Sequence, residues 1–180
     1  MSDRGAILFV HLSSLSALER MNEYTKALNT YKGDQLMEIN TFLEHKETDT
    51  SNIILVKNLY KAMAEGGGSA LLKILSDNPT WNVCPGTPEG GIYHGISEVF
   101  GVFYKKLLNI LINLKAEPEV FVDGGDIVVA LGFYSFTNRE GGAIKRVRFS
   151  HTWKITSDNR IDGVWQVCDS LEMRRLLEAE

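Results

Sequence analysis

The sequence predicts an α+β fold in which helices come first and a run of antiparallel strands follows. Three observations carry that prediction. Between residues 53 and 75, and again between 95 and 111, apolar residues recur at helical spacing. From Glu119 to Asp169 the chain reads instead as strands, separated by Asp123-Gly124-Gly125, by 138–142 and by Ser157-Asp158-Asn159. Ahead of both, residues 1–45 read as a β-α-β unit, joined to the rest by a polar linker at 46–52.

The totals narrow the function classes. A chain of 180 residues suffices for one sizeable domain, or for one domain with an appendage. It is 44% hydrophobic and 23% charged, with net charge −4, which argues against nucleic acid as a partner. The one basic cluster, Lys145–Arg148, alternates with apolar residues as a solvated strand face does. Cys84 and Cys168 stand far apart without a CxxC pattern, and His11, His45, His94 and His151 show no ligand spacing. Neither a disulfide framework nor a metal site is expected, and a reducing, cytoplasmic setting is. No apolar run approaches the roughly 20 residues of a membrane span. Ala6–Val10 is too short for a signal-peptide core, with His11 after it and Asp3 before it.

In chain order, residues 4–12 read as a short strand. Leu18, Met21, Tyr24, Thr25, Leu28 and Tyr31 then mark a helix stopped by Gly33, and Gln35–Leu43 alternates as a second strand. This pattern resembles half of a ferredoxin-like domain, as found in small dimeric α/β-barrel proteins. Two strands and a helix bury too little surface to stand alone. After the linker, a helix cap falls at Ser51 or Asn52, and Ile54, Leu55, Asn58, Leu59, Ala62 and Met63 make a helical stripe closed by Gly66–Gly68. Those glycines lack the strand before them and the Lys-Ser/Thr after them that a phosphate loop needs. Ser69 is the predicted cap of a second helix, Ala70–Leu75, with Pro79 as a hard stop. Thr80–Cys84 reads as a short strand and 85–91 as a loop, either a lid or an ordinary connection. The longest helix starts near Gly95 and turns Val99, Phe100, Phe103, Tyr104, Leu107, Leu108 and Leu111 inward. Glu119–Val122 is the next strand. Asp126–Phe136 is apolar on both parities, as a strand covered on both sides would be. Leu171–Leu177 closes the chain as a short helix.

The last hairpin decides which side chains share a face. On its first strand Val147, Phe149, His151, Trp153 and Ile155 form one row. A two-residue turn at Asp158-Asn159 would set His151 against Gln166, and the apolar row against a mostly polar one. A three-residue turn, Ser157–Asn159, pairs Thr156 with Arg160 and matches Ile155 with Ile161, His151 with Trp165, Phe149 with Val167 and Val147 with Asp169. We expect the second register. It puts Asp169 and His151 on one inward face but about 13 Å apart at strand rise, too far for a hydrogen-bonded dyad. A bulge near Val164 would change that.

The order of elements, and the stretches VKNLYKAMAEG, SALLKILSDNPTW, PGTPEGGIYHGISEVFGVFYKKL, GFYSFT and FSHTWKITSDNRIDGVWQVCD, resemble the SnoaL-like polyketide cyclases of the NTF2-like, ketosteroid-isomerase-related superfamily. The resemblance spans residues 53–178. It implies a cone in which a curved antiparallel sheet wraps a long helix beside two further helices. It also implies an apolar pocket and a homodimer formed through the sheet's outer face. The implied chemistry is proton abstraction beside a carbonyl in a small hydrophobic or polycyclic molecule, by an inward carboxylate and with no cofactor. Asp169 matches the terminal-strand acid and His151 the polar position on the preceding strand. The N-terminal unit has no counterpart in the typical member.

Each candidate residue has a plainer reading. Asp169 also fits a helix cap, because Glu172 follows three residues later as in a capping box. His151 also fits a buried, hydrogen-bonded core position. Trp81, Phe103, Tyr134, Trp153 and Trp165 line a pocket or fill the core. Tyr60, Tyr104 and Tyr134 are candidates to offer a hydroxyl to an enolate. A non-catalytic ligand-binding or dimerisation module is the competing expectation for the whole domain.

Overall fold

The computed structural model describes residues 43–178. The predicted β-α-β unit lies outside the described residues except for its last three. Of these, Leu43 is helical rather than extended, and its side chain is buried.

The linker is pinned in place. The Lys57 ammonium donates to Asp49 at 2.6 Å and to the Glu44 carbonyl at 2.8 Å, and its side chain is only 2% exposed. Helix α1 (Ser51–Glu65) is capped by Thr50, not by Ser51 or Asn52, through Ile53 N–H at 3.3 Å. Its buried face is Val56, Lys57, Leu59, Tyr60 and Ala62, so the helix is turned from the predicted stripe and brings Tyr60 inward. Gly66, at φ 74°, ends it in the left-handed conformation that glycine adopts without strain. Helix α2 (Gly68–Ile74) starts on Gly67 rather than on a Ser69 cap. Leu75, expected to end that helix, instead opens strand β1 (Leu75–Val83). The strand carries Pro79 through a register shift, where its missing N–H is tolerated.

Strand β2 (Gly91–His94) pairs back on β1, with Trp81 opposite Tyr93. The long helix runs as α3 (Gly95–Glu98), a π-helical stretch (Val99–Tyr104) and α4 (Lys105–Ile110). Of its predicted inner residues, Val99, Phe100, Phe103, Tyr104, Leu107 and Leu111 are buried and Leu108 is partly buried. Four antiparallel strands follow: β3 (Ile112–Asp123), β4 (Ile127–Thr137), β5 (Lys145–Ile155) and β6 (Ile161–Cys168). β3 begins well before the predicted Glu119 and passes Pro118 by a second register shift. Helix α5 (Ser170–Glu178) ends the described chain. The sheet is curved and unclosed, in the order β2-β1-β6-β5-β4-β3, with β1 and β6 parallel. Its inner face packs Val128, Ala130, Trp153 and Val164 against Leu59, Tyr60, Phe103 and Leu107. On the outer face of β4, Leu131 is 39% exposed, while Arg146 and Arg148 lie over Phe133. No helix among the described residues is long and apolar enough to cross a membrane.

The β5–β6 turn forms as predicted, but the register beyond it does not. Thr156 N–H donates to the Arg160 carbonyl at 2.8 Å, Asn159 is left-handed at φ 59°, and Ile155 faces Ile161. Lys154 then faces Gly163, so Asp162 is an extra residue. From there Trp153 faces Val164, His151 faces Gln166 and Phe149 faces Cys168. This is the register that the rejected two-residue turn would have given, reached by the right turn plus a bulge. Two features hold the bulge. Asp162 accepts from Lys154 at 3.0 Å and from Ser76 at 3.0 Å. Gly163 lets β1 approach so closely that a Cβ there would lie 2.5 Å from the Thr80 carbonyl oxygen. The sequence signal was Gly163 itself, since an isolated glycine inside a strand marks a bulge or a close backbone approach.

Replacing Gly163 with alanine therefore forces β1 and β6 apart. Urea denaturation should show a loss of about 1–3 kcal/mol, the usual cost of overpacking a tight contact. An unchanged midpoint would mean that the approach does not hold the register.

Candidate functional site

His151 sits mid-strand on the inner face of β5, 2% exposed, and both ring nitrogens are engaged. Tyr60 Oη lies 2.6 Å from Nδ1, and Tyr134 Oη is bonded to Nε2. Trp153 donates its indole N–H to Tyr60 Oη at 3.1 Å. The ring also stacks on Phe149, with centroids 4.1 Å apart. Four of the predicted residues (Tyr60, Tyr134, His151 and Trp153) thus form one hydrogen-bonded chain. Each comes from periodicity. The turned face of α1 supplies Tyr60, β4 supplies Tyr134, and alternate residues of β5 supply Phe149, His151 and Trp153.

The chain sits where charge is costly. Burial lowers the His151 imidazole to about 3, so the ring is neutral at physiological pH. Burial likewise raises the Tyr60 and Tyr134 hydroxyls well above their usual value, so both keep their protons. A neutral imidazole has one N–H to place. Tyr60 already accepts from Trp153, so its own proton goes to Nδ1, and Nε2–H donates to Tyr134. The opposite tautomer would strand the Tyr60 proton in the core, at a cost of about 1–3 kcal/mol. In the favoured arrangement the hydroxyl of Tyr134, a partly buried residue, has a proton to offer that no described residue accepts.

A second polar node lies beside the first. Trp81, fully buried, donates its indole N–H to Tyr104 Oη at 3.3 Å, and Gln166 also bonds that hydroxyl. Burial pushes Tyr104 up to about 12. Trp81 meets Trp153 edge-on at 5.6 Å, which joins the two nodes. Phe103 packs between Tyr93 and Tyr104 as core. Gln166 and Cys168 were not among the predicted site residues, because the expected register turned β6 the other way; Phe149 was expected on the inner row but not named as a site residue.

Two predicted residues lie elsewhere for the same reason. Trp165 is on the outer face and 47% exposed. Asp169 is exposed and caps α5: its carboxylate accepts Glu172 N–H at 3.0 Å and its carbonyl accepts Met173 N–H at 2.9 Å. The inward carboxylate expected there is therefore a helix cap, and no Asp or Glu is buried on the inner face among the described residues. Of the predicted 85–91 loop, residues 85–90 are an ordinary loop seated on α5, and Gly91 opens β2. Arg174 reaches the Gly86 carbonyl at 3.4 Å, and a Cβ on Gly86 would touch Ser170. A surface groove of about 520 Å³ runs between Leu72, Asn78, His94 and Ile96 and meets none of the predicted site residues. No cluster of metal-ligating side chains occurs among the described residues.

No protein-family model and no curated protein matches the chain. Solved structures do. An NTF2-like protein of unknown function from Burkholderia pseudomallei is 25% identical, with a TM-score of 0.65 over 73% of this chain and 100% of that one. TerC, crystallised with polyporic acid, is 20% identical, with a TM-score of 0.65 over 72% of this chain and 100% of its own. A putative SnoaL-like polyketide cyclase from Jannaschia is 14% identical, with a TM-score of 0.62 over 76% of this chain and 98% of that one. The helices and curved six-stranded sheet are thus those of the NTF2-like fold, which this chain shares with proteins described as NTF2-like and as putative SnoaL-like polyketide cyclases.

Proposed function

We propose that this NTF2-like domain binds a small, largely apolar or polycyclic molecule, with the Tyr134 hydroxyl donating to a carbonyl-type oxygen on it. The observation that carries this reading is the Trp153–Tyr60–His151–Tyr134 chain, which satisfies each inner donor and ends on the hydroxyl of Tyr134, a partly buried residue. A few placed polar groups in an apolar wall are what small-molecule sites use for orientation. TerC supports the ligand class, since it was crystallised with polyporic acid.

The second reading is an isomerase or cyclase that removes a proton beside that carbonyl, favoured by the SnoaL-like cyclases among the structural neighbours. Tyr134 would then stabilise the enolate. Asp169 does not supply the base from its capping position, and a neutral His151 near 3 is a weak proton acceptor. Binding is therefore the better-supported function.

The outer face suggests the assembly. Val120, Leu131 and Val167 fall in one row across the sheet, and Val122, Val129 and Trp165 in the next. Five of these six are more than a third exposed. Ser150 and Thr152 complete the two rows, so the surface is mostly rather than wholly apolar. Exposed apolar area of this kind marks an interface, and we propose a second copy of the chain, packed face to face.

Three measurements check these statements. Polyporic acid and a panel of polycyclic ketones should quench the buried tryptophans. Tyr134→Phe should weaken binding about tenfold, the worth of one buried neutral hydrogen bond, while Asp169→Asn binds as wild type. The reverse pattern would sink the assignment, and exchange of the ligand's α-proton into D2O above background would move it to the isomerase or cyclase reading. Stability should depend on His151 below pH 6.5. The unfolded imidazole takes a proton near 6.5 and the folded one only near 3, so the unfolded state gains as pH falls through that window, by about 1.4 kcal/mol per pH unit. Urea midpoints between pH 7 and 4.5 should fall more steeply for wild type than for His151→Gln. Finally, sedimentation should show a dimer that Trp165→Glu dissociates; a wild-type monomer at high concentration would refute the interface.

A further inference from the structure

His151 and Gln166 are the polar side chains buried on the inner face of the β5–β6 pair. The donor chain accounts for the first. The second is 6% exposed and stands directly across from His151. Side chains so opposed start from Cβ atoms about 5 Å apart. Gln166 therefore flanks the imidazole from β6, while Tyr134 reaches it from β4.

A carboxamide carries two N–H donors and one accepting oxygen. The Tyr104 hydroxyl takes an N–H of Gln166. No described residue donates to Gln166 Oε1. The donors around it are committed elsewhere: the Trp153 indole goes to Tyr60, the Trp81 indole to Tyr104, and the imidazole N–H to Tyr134. A buried carbonyl oxygen left without a donor is costly. Such groups are rare in folded proteins, and each marks a place where something besides the fold completes the bonding.

Resting on the Tyr134 reading, we propose that Gln166 Oε1 is the ligand's second anchor and accepts an O–H or N–H from the molecule whose oxygen Tyr134 holds. The two contacts are complementary, since Tyr134 has a proton to give and Gln166 Oε1 has lone pairs. A plain ketone satisfies one of them. A small apolar frame that carries both a carbonyl and a hydroxyl satisfies both, so the ligand class narrows to hydroxy-carbonyl compounds. An amide suits this position because it accepts without bringing a charge into the apolar cone. It takes no proton from carbon, so its part is recognition.

The full chain is titrated with 1-tetralone, with its 5-, 6- and 7-hydroxy derivatives and with their methyl ethers, at a pH where the phenols stay protonated. Tryptophan quenching reads the binding. The best-placed hydroxytetralone should bind about tenfold tighter than 1-tetralone, the worth of one neutral hydrogen bond, and its methyl ether should lose that gain. Gln166→Met should bring the hydroxytetralone to within about twofold of 1-tetralone. Tyr134→Phe should weaken both and keep their ratio. Binding with no preference for the hydroxyl, or a preference that survives Gln166→Met, would overturn the second anchor and leave the Tyr134 reading standing. If no tetralone bound at all, both would fall. Gln166→Leu answers the same question should Gln166→Met fold poorly, and the preference for a hydroxy ketone over its methyl ether is read on the wild-type chain.

Discussion

The contact on which the most depends is the approach of the Thr80 carbonyl to Gly163. A strand has only two faces, and one inserted residue exchanges them. With Asp162 bulged out, Val164, Gln166 and Cys168 point inward, and Trp165 and Val167 point out. Without it the rows would exchange. The inner face would then lose the Gln166 bond to Tyr104. The outer face would lose its indole. Glycine is required at 163 because any side chain would meet β1 backbone. Asp162 is suited to the bulged position because Lys154 and Ser76 hold its carboxylate.

The second constraint is that polar groups inside an apolar cone must satisfy one another. His151 is buried among Tyr60, Phe149 and Trp153, and burial there favours the neutral ring. The neutral ring in turn needs one donor and one acceptor. Tyr60 and Tyr134 provide them from a helix and a neighbouring strand, so the histidine fixes how α1 sits against the sheet. Lys57 does the same one turn earlier on α1, tied to Asp49 and Glu44. Both cases follow the rule that a buried polar group costs little when paired and several kcal/mol when it is not (about 1–3 for a neutral donor, more for a charge).

Much of this was legible in the sequence. The order of elements, the inner face of the long helix and the row Val147–Ile155 follow from periodicity, because burial on one side imposes period directly. The turn at Ser157–Asn159 was legible because Asn159 tolerates the left-handed conformation. The register beyond it was not, because matching apolar rows assumed an unbroken ladder. That assumption favoured Trp165 and Val167 as inner residues, when their apolarity belongs to the outer face. Strand β4 carried the same clue. It is apolar on both parities, and on its outer side Arg146 and Arg148 cover Phe133 while Leu131 stays exposed. Pro79 misled for a related reason: proline ends helices and interior strands, but a bulge removes the need for its N–H.

The cap at Asp169 completes the argument about chemistry. A carboxylate that accepts a backbone N–H at a helix start is held at the surface, whereas a base for a carbonyl neighbour must be desolvated and aimed inward. One residue cannot do both from one backbone position. The shift in β6 register that turns Cys168 inward leaves Asp169 to begin α5. What the inner face offers is therefore a neutral donor rather than an anionic acceptor. A neutral phenol positioned by a neutral imidazole recognises an oxygen without needing a counter-charge, and an apolar surround strengthens that bond. Because β6 alternates, the site and the proposed interface cannot change independently. Gln166 and Cys168 lie on the inner face while Trp165 and Val167 lie on the outer one, and any change in strand register would alter both surfaces at once.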